Sequence, residues 1–185
     1  VPGAEWVIAS GDQEGGRIHL VNVQDKTATL LFPTPTRRER LDATTYPTCP
    51  GPLPREGDDF RAHGLYLTPG SSGVHTLYVV HHGVRESIEV FEVDARTGRP
   101  ALTWVGCVVG PEPVGFNSVV ALPEEGLVAT SPRTGDVWEW HAASGWRQVP
   151  GSDDTAPNGL EISPDGRWLY VAGFAESKVT RLSRG

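Results

Sequence analysis

Three polar residues open the same phrase at three points of the sequence: His63 before Gly64-Leu65, Asn117 before Ser118-Val119, and Asn158 before Gly159-Leu160. They are remote in the chain, 54 positions from 63 to 117 and 41 from 117 to 158. A repeated architecture that carries the start of each unit to a common centre would make them neighbours. Amide oxygens of Asn are hard donors of the kind Ca²⁺ takes at roughly 2.3–2.6 Å, beside one or more carboxylates. The pattern therefore predicts a metal site at Asn117 and Asn158, with Ca²⁺ first and other divalent ions open. The plainer role of Asn and His in such places is to bond the turn ahead of a strand. Recurrence at matching points, behind Phe116 and Pro157, favours the metal.

The elements that must position these residues read as strands. Leu77-Tyr78-Val79-Val80 and Ser87 to Val93 follow His63; Gly126 to Thr130 and Asp136 to Trp140 follow Asn117. Trp168 to Ala172 and Lys178 to Leu182 follow Asn158. Val137 and Glu139 alternate with Trp138 and Trp140, the period of a strand. Pro164-Asp165-Gly166 is a turn, since Pro presets one corner and Gly accepts the left-handed one. A further copy, Trp6 to Ser10, Gly16 to Val23 and Ala28 to Phe32, lacks its first strand, and no amphipathic helix of three turns is visible. Units of roughly 40–50 residues, each a strand–turn–strand meander, predict an all-β β-propeller rather than a sandwich. The expected division is an incomplete blade 1–32, a long loop 33–59, blades 60–109 and 110–150, and an incomplete blade 151–185.

Composition agrees. With 22 Gly and 16 Pro in 185 residues the chain is rich in turn formers. Its net charge of −7 and its lack of a basic cluster argue against nucleic acid, whose phosphates need a positive face. No apolar run reaches the roughly 20 residues of a membrane span. The chain contains no Met, which fits a trimmed chain, part of a longer product, or removal of an export signal. Export is favoured over a cytoplasmic location. The remaining blades are expected in further sequence or in another chain, because an open ring exposes strand edges.

Pro157-Asn158-Gly159-Leu160, Ser163-Pro164-Asp165-Gly166 and Leu169-Tyr170-Val171 resemble the regucalcin/gluconolactonase family, and Phe116-Asn117 with Pro123 fits its preceding blade. The stretch Phe60 to Leu65, with Leu77 to His82 and Ile88 to Phe91, resembles the paraoxonase/arylesterase branch. Those families, with the strictosidine synthase-like one, are similar six-bladed calcium propellers, of which this chain would hold about three and a half blades. The resemblance implies that Asn117 and Asn158 ligate Ca²⁺, that His63 activates water, and that His82 is its partner. It places the acidic ligands ahead of Val1 and beyond Gly185, and it expects Asp where Ser118 stands. The implied activity is calcium-dependent hydrolysis of a small-molecule lactone or aryl ester. The alternative is a strictosidine synthase-like scaffold that binds a ligand around a structural metal without hydrolysing it. No Gly-x-Ser-x-Gly elbow supports a serine hydrolase.

Cys49 and Cys107 lack zinc-site spacing. Both are expected in connections on one face, either paired in a disulfide that pins the loops or left as two free thiols. Tyr46, Leu53 and Phe60 are expected to give the loop 33–59 an apolar wall for substrate, as long irregular loops often form lids. His19, His75 and His141 are expected at the surface.

Overall fold

A computed structural model describes residues 1–13, 15–55, 60–153 and 155–184, and over these residues the chain is all-β, with a single 3-10 turn at Ser71–Gly73. No helix among the described residues is long and apolar enough to cross a membrane. Two compact units, 1–108 and 109–185, divide the chain.

In the first unit, β1 (Trp6–Ser10), β2 (Ile18–Asn22) and β3 (Ala28–Phe32) form an antiparallel meander. A second meander runs through β5 (Phe60–Thr68), β6 (Val74–Gly83), β7 (Ser87–Asp94) and β8 (Ala101–Val109). The two-residue β4 (Arg38–Glu39) adds to it in parallel, beside β8. His75, Leu77 and Val79 of β6 are buried while Thr76 and Tyr78 between them are less so, the alternation of a strand with one covered face. In β7 the run Ser87–Phe91 is buried throughout, so this strand is covered on both faces. Phe32 packs edge-on against Phe60 and Phe91, with centroids 5.0 and 4.8 Å apart, and joins the two sheets in one core.

The core also holds charge. The Glu89 carboxylate is fully buried and accepts hydrogen bonds from Arg85 Nε (2.9 Å) and Nη2 (3.1 Å), Ser87 Oγ (2.7 Å) and Trp104 Nε1 (2.7 Å). Burial pushes its carboxyl up, and Arg85, Ser87 and Trp104 pull in the other direction. Arg85 also donates to the carbonyl of Gly51 at 3.0 Å, so the same ion pair holds the long loop.

The described part of that loop, residues 33–55, is a strap along β8, where a lid was expected. The backbone N–H groups of Arg40 and Asp42 donate to the carbonyls of Trp104 and Val105, each at 2.8 Å. Tyr46 lies against Gly106, where a Cβ would come within 2.3 Å of its ring. Arg37 donates to the Leu53 carbonyl, and Cys49 is disulfide-bonded to Cys107 across 58 positions. Tyr46, Leu53 and Phe60 are therefore core residues, 7, 7 and 5% exposed, and form no open wall. Cys107 sits inside β8, in contrast to the expected connection, because the outer strand of this sheet is longer than its pattern suggested. His75, expected at the surface, is buried and accepts the N–H of Gly70.

The second unit contains two more antiparallel meanders. One is β9 (Val119–Ala121), β10 (Gly126–Ser131), β11 (Asp136–His141) and β12 (Gly145–Gln148); the other is β13 (Pro157–Ile162), β14 (Trp168–Gly173) and β15 (Lys178–Ser183). Every residue of β10 is buried, which marks it as a middle strand packed on both faces. The predicted turn forms at Pro164-Asp165-Gly166. Gly166 has φ +71°, and its N–H donates to the Ser163 carbonyl at 2.8 Å. The Ser163 hydroxyl and the Arg167 guanidinium hold the Asp165 carboxyl down at about 2.

Two outcomes follow from this packing. Reduction of the disulfide, or Cys49→Ser, is expected to lower stability by roughly 2–4 kcal/mol, since a 58-residue separation restricts the unfolded chain strongly. Denaturant unfolding with and without reductant measures it, and identical midpoints would contradict the strap. His81, buried against Phe60 and beside the Arg85 cation, has its pKa lowered to about 4 chiefly by desolvation. The native state keeps it neutral while the unfolded chain protonates from about pH 6.5 downward. Stability is thus fully present above pH 6.5 and falls as pH drops towards 4, by about 3 kcal/mol at most. Urea titrations of the parent and of His81→Gln at pH 7.5 and 5 should show a steeper pH dependence in the parent.

Candidate functional site

The adjacent histidines at the end of β6 part company. Successive residues of a strand point to opposite faces. His81 turns inward, its ring stacked on Phe60 at 4.9 Å and its Nδ1 accepting the Arg61 N–H at 3.4 Å. His82 therefore turns outward, where its side chain is 24% exposed. The inner strand β5 is irregular opposite this point: Ala62 pairs with His81 and Leu65 with Val79, so His63 and Gly64 together face Val80. Such a bulge re-aims a side chain. His63 Nδ1 reaches His82 Nε2 at 3.1 Å, with the rings tilted by 61°.

Two carboxylates complete the cluster. His82 Nδ1 donates to Glu86 Oε2 at 2.8 Å, from the turn between β6 and β7. Asp12, in the loop after β1, places Oδ2 3.6 Å from His63 Nδ1 and Oδ1 4.0 Å from His82 Nε2. The Ser10 hydroxyl donates to the His63 carbonyl at 2.6 Å and ties β1 to the bulge. These partners assign the tautomers. A carboxylate accepts only, so His82 carries its proton on Nδ1; its Nε2 then accepts from His63 Nδ1–H, and the lone pair of His63 lies on Nε2. The result is a line from carboxylate to imidazole to imidazole. Donor atoms of Asp12, His63 and His82 also lie within 4.8 Å of one another, a possible metal-binding triad.

Asn117 and Asn158 lie in the second unit. Pro157 pairs with Gly173 and Leu160 with Val171, so Asn158 and Gly159 face Ala172 in a bulge like that at His63-Gly64. Asn117 precedes β9, and its N–H donates to the Thr130 carbonyl at 2.9 Å. Thr130 returns its own N–H to the Ser118 carbonyl at 3.0 Å, and its hydroxyl donates to the Asn158 carbonyl at 2.6 Å. His63 and Asn158 thus stand at bulges of β5 and β13, Asn117 lies just ahead of β9, and a hydroxyl from a second strand holds the carbonyls of His63 and Asn158. Asp12 and Glu86 are the residues that the sequence reading missed. Glu86 had a faint signal, a carboxylate four positions after His82 in a hairpin turn; Asp12 had none, since its blade lacks the inner strand that would have shown the register.

No protein-family model and no curated protein matches the sequence. Solved structures do resemble the chain. The periplasmic gluconolactonase of Pseudomonas aeruginosa is 16% identical, with a TM-score of 0.54 over 97% of this chain and 54% of its own. A virginiamycin B lyase from Staphylococcus aureus with quinupristin is 11% identical, with a TM-score of 0.51 over 100% of this chain and 55% of its own. The hydrazine synthase of Kuenenia stuttgartiensis is 17% identical, with a TM-score of 0.52 over 96% of this chain and 49% of its own. The chain spans about half the length of these structures. At such identities the likeness shows the fold: the chain is all-β, of β-propeller class, and shares that fold with a lactonase and with a lyase.

The hydrogen-bond line is open to direct observation. Imidazole ¹⁵N spectra of the protein should show His82 as the Nδ1–H tautomer, and Glu86→Ala should move it towards the Nε2–H form common in water. An Nε2–H form of His82 in the parent would contradict the assignment.

Proposed function

We propose that the protein hydrolyses the carbonyl of a small lactone or aryl ester with water activated by His63. The supporting observation is the line Glu86···His82···His63, at 2.8 and 3.1 Å, which includes an imidazole side chain 31% exposed. A basic lone pair on Nε2 of His63 takes the proton of water. The imidazolium that forms keeps its Nδ1–H on His82 and has the Asp12 carboxylate 3.6 Å away. Glu86 holds the tautomer of His82, so the acceptor for His63 is in place before the proton moves. A positioned base of this kind contributes roughly 10²- to 10⁴-fold in rate.

Asn117 and Asn158 are the Ca²⁺ ligands of this reading. They fit the ion in kind, as neutral oxygen donors, and Thr130 links their strands. They bring none of the charge that sets Ca²⁺ affinity; the resemblance assigns that to carboxylates outside residues 1–185. When bound, Ca²⁺ supplies polarisation of the carbonyl and a counter-charge for the developing oxyanion. The disulfide suits an oxidising compartment, in keeping with export.

The intact protein is to be assayed with phenyl acetate and with γ- and δ-lactones, with and without EDTA. His63→Ala is expected to lower kcat/KM by about 10²- to 10⁴-fold, and EDTA to abolish turnover. Unchanged activity in His63→Ala would overturn the mechanism, and activity indifferent to EDTA would remove the Ca²⁺ step. Ligand binding with no turnover of any of these carbonyls would make the protein a binding propeller.

A further inference from the structure

We infer that Asp12, His63 and His82 form a binding site for a late first-row divalent cation of the Zn²⁺ class, separate in chemistry from the proposed Ca²⁺ ligands. Two imidazole nitrogens and one carboxylate oxygen make up the donor set. Imidazole suits Zn²⁺, Cu²⁺ and Ni²⁺, whereas Ca²⁺ takes oxygen.

The distances fit. Two nitrogens bound to one tetrahedral Zn²⁺, each at roughly 2.0–2.1 Å, lie about 3.3 Å apart. His63 Nδ1 and His82 Nε2 are already 3.1 Å apart. Asp12 places Oδ2 3.6 Å from His63 Nδ1 and Oδ1 4.0 Å from His82 Nε2, with one donor oxygen within 4.8 Å of both nitrogens, so a turn of the side chain that brings that oxygen inward by roughly an ångström completes the set. Its side chain is 51% exposed and stands on a loop, so rotation meets little resistance. Three protein ligands leave a fourth position for water, the pattern of open rather than structural zinc sites.

Glu86 has a role in this site too. A metal-bound imidazole characteristically donates its other N–H to a carboxylate, which orients the ring and raises its basicity. His82 does so at Nδ1 to Glu86 Oε2, 2.8 Å away, and so its Nε2 is aimed at the cation position. The cation takes the place of the proton between the two rings. His63 then shifts that proton to Nε2, and no charge is created on the ring. A cluster so loaded has no basic lone pair on His63 Nε2, so Zn²⁺ and the proton line are mutually exclusive states of the same side chains.

The test is one of binding and does not depend on turnover, so failure of the hydrolase reading leaves it intact. Calorimetric titration of the intact protein with ZnCl₂, and separately with CaCl₂, follows the metal alone. One Zn²⁺ per chain is expected. Asp12→Asn, His63→Gln and His82→Gln should each weaken Zn²⁺ binding at least tenfold, Glu86→Gln about tenfold, and His19→Gln not at all. Unchanged Zn²⁺ affinity in both His63→Gln and His82→Gln would overturn the site, as would tenfold weakening by His19→Gln. A second measurement needs no variant. In imidazole ¹⁵N spectra of the unmodified protein, which has six histidines, Zn²⁺ should shift one ring through Nδ1 and a second through Nε2. Shifts confined to other rings would rule the proposal out.

Discussion

A β-strand sends successive side chains to opposite faces, and the inner strand β5 departs from that rule at one place. His63 and Gly64 together face Val80. Without the extra residue, every side chain beyond it would lie on the other face of the strand. With it, Ala62 and Phe60 enter the core while His63 meets His82. Gly64 suits the position, as a residue without a side chain beside a bulge. The same irregularity at Asn158-Gly159 indicates that the bulge belongs to the blade plan rather than to one site.

Support for the cluster comes from a short turn with two anchors. Residues 84–86 join β6 to β7, and within them Arg85 and Glu86 face different tasks. Arg85 is held by the buried Glu89 carboxylate and by the Gly51 carbonyl of the strap. Glu86 holds His82. The ion pair alone is no sign of a large net stabilisation, because taking both charges out of water costs several kcal/mol. Its value is geometric. Glu89 has four donors around it, so the turn has one arrangement that leaves no buried charge unsatisfied. The disulfide and the Tyr46–Gly106 contact fix the strap that presents Gly51.

Polar burial divides the histidines by role. His81 and His75 are buried among strands, and each gives one ring nitrogen to a backbone N–H. His63 and His82 are partly exposed and are paired with carboxylates and with each other. The difference is one of environment, not of residue type. Desolvation keeps His81 neutral, while His63 stands partly open to water with the Asp12 carboxylate 3.6 Å from its Nδ1.

Much of the architecture was legible in the residues. Period-2 runs such as Asp136 to Trp140, the turn at Pro164-Asp165-Gly166 and the polar residue at the head of the unit at 63, 117 and 158 are local properties, and local chemistry determines them. The histidine partnership was legible only through resemblance, and Asp12 and Glu86 were not singled out at all. Asp12 is 51 residues from His63, and nothing in its own neighbourhood shows which strand it will face. The burial of Tyr46, Leu53 and His75 was also beyond the pattern, because the strap's position along β8 depends on a disulfide, a glycine contact and an ion pair from four separate segments. Strand identity is thus written in short stretches of sequence. Which side chains meet was decided by register and by the bulges, and these exist only once the strands are paired.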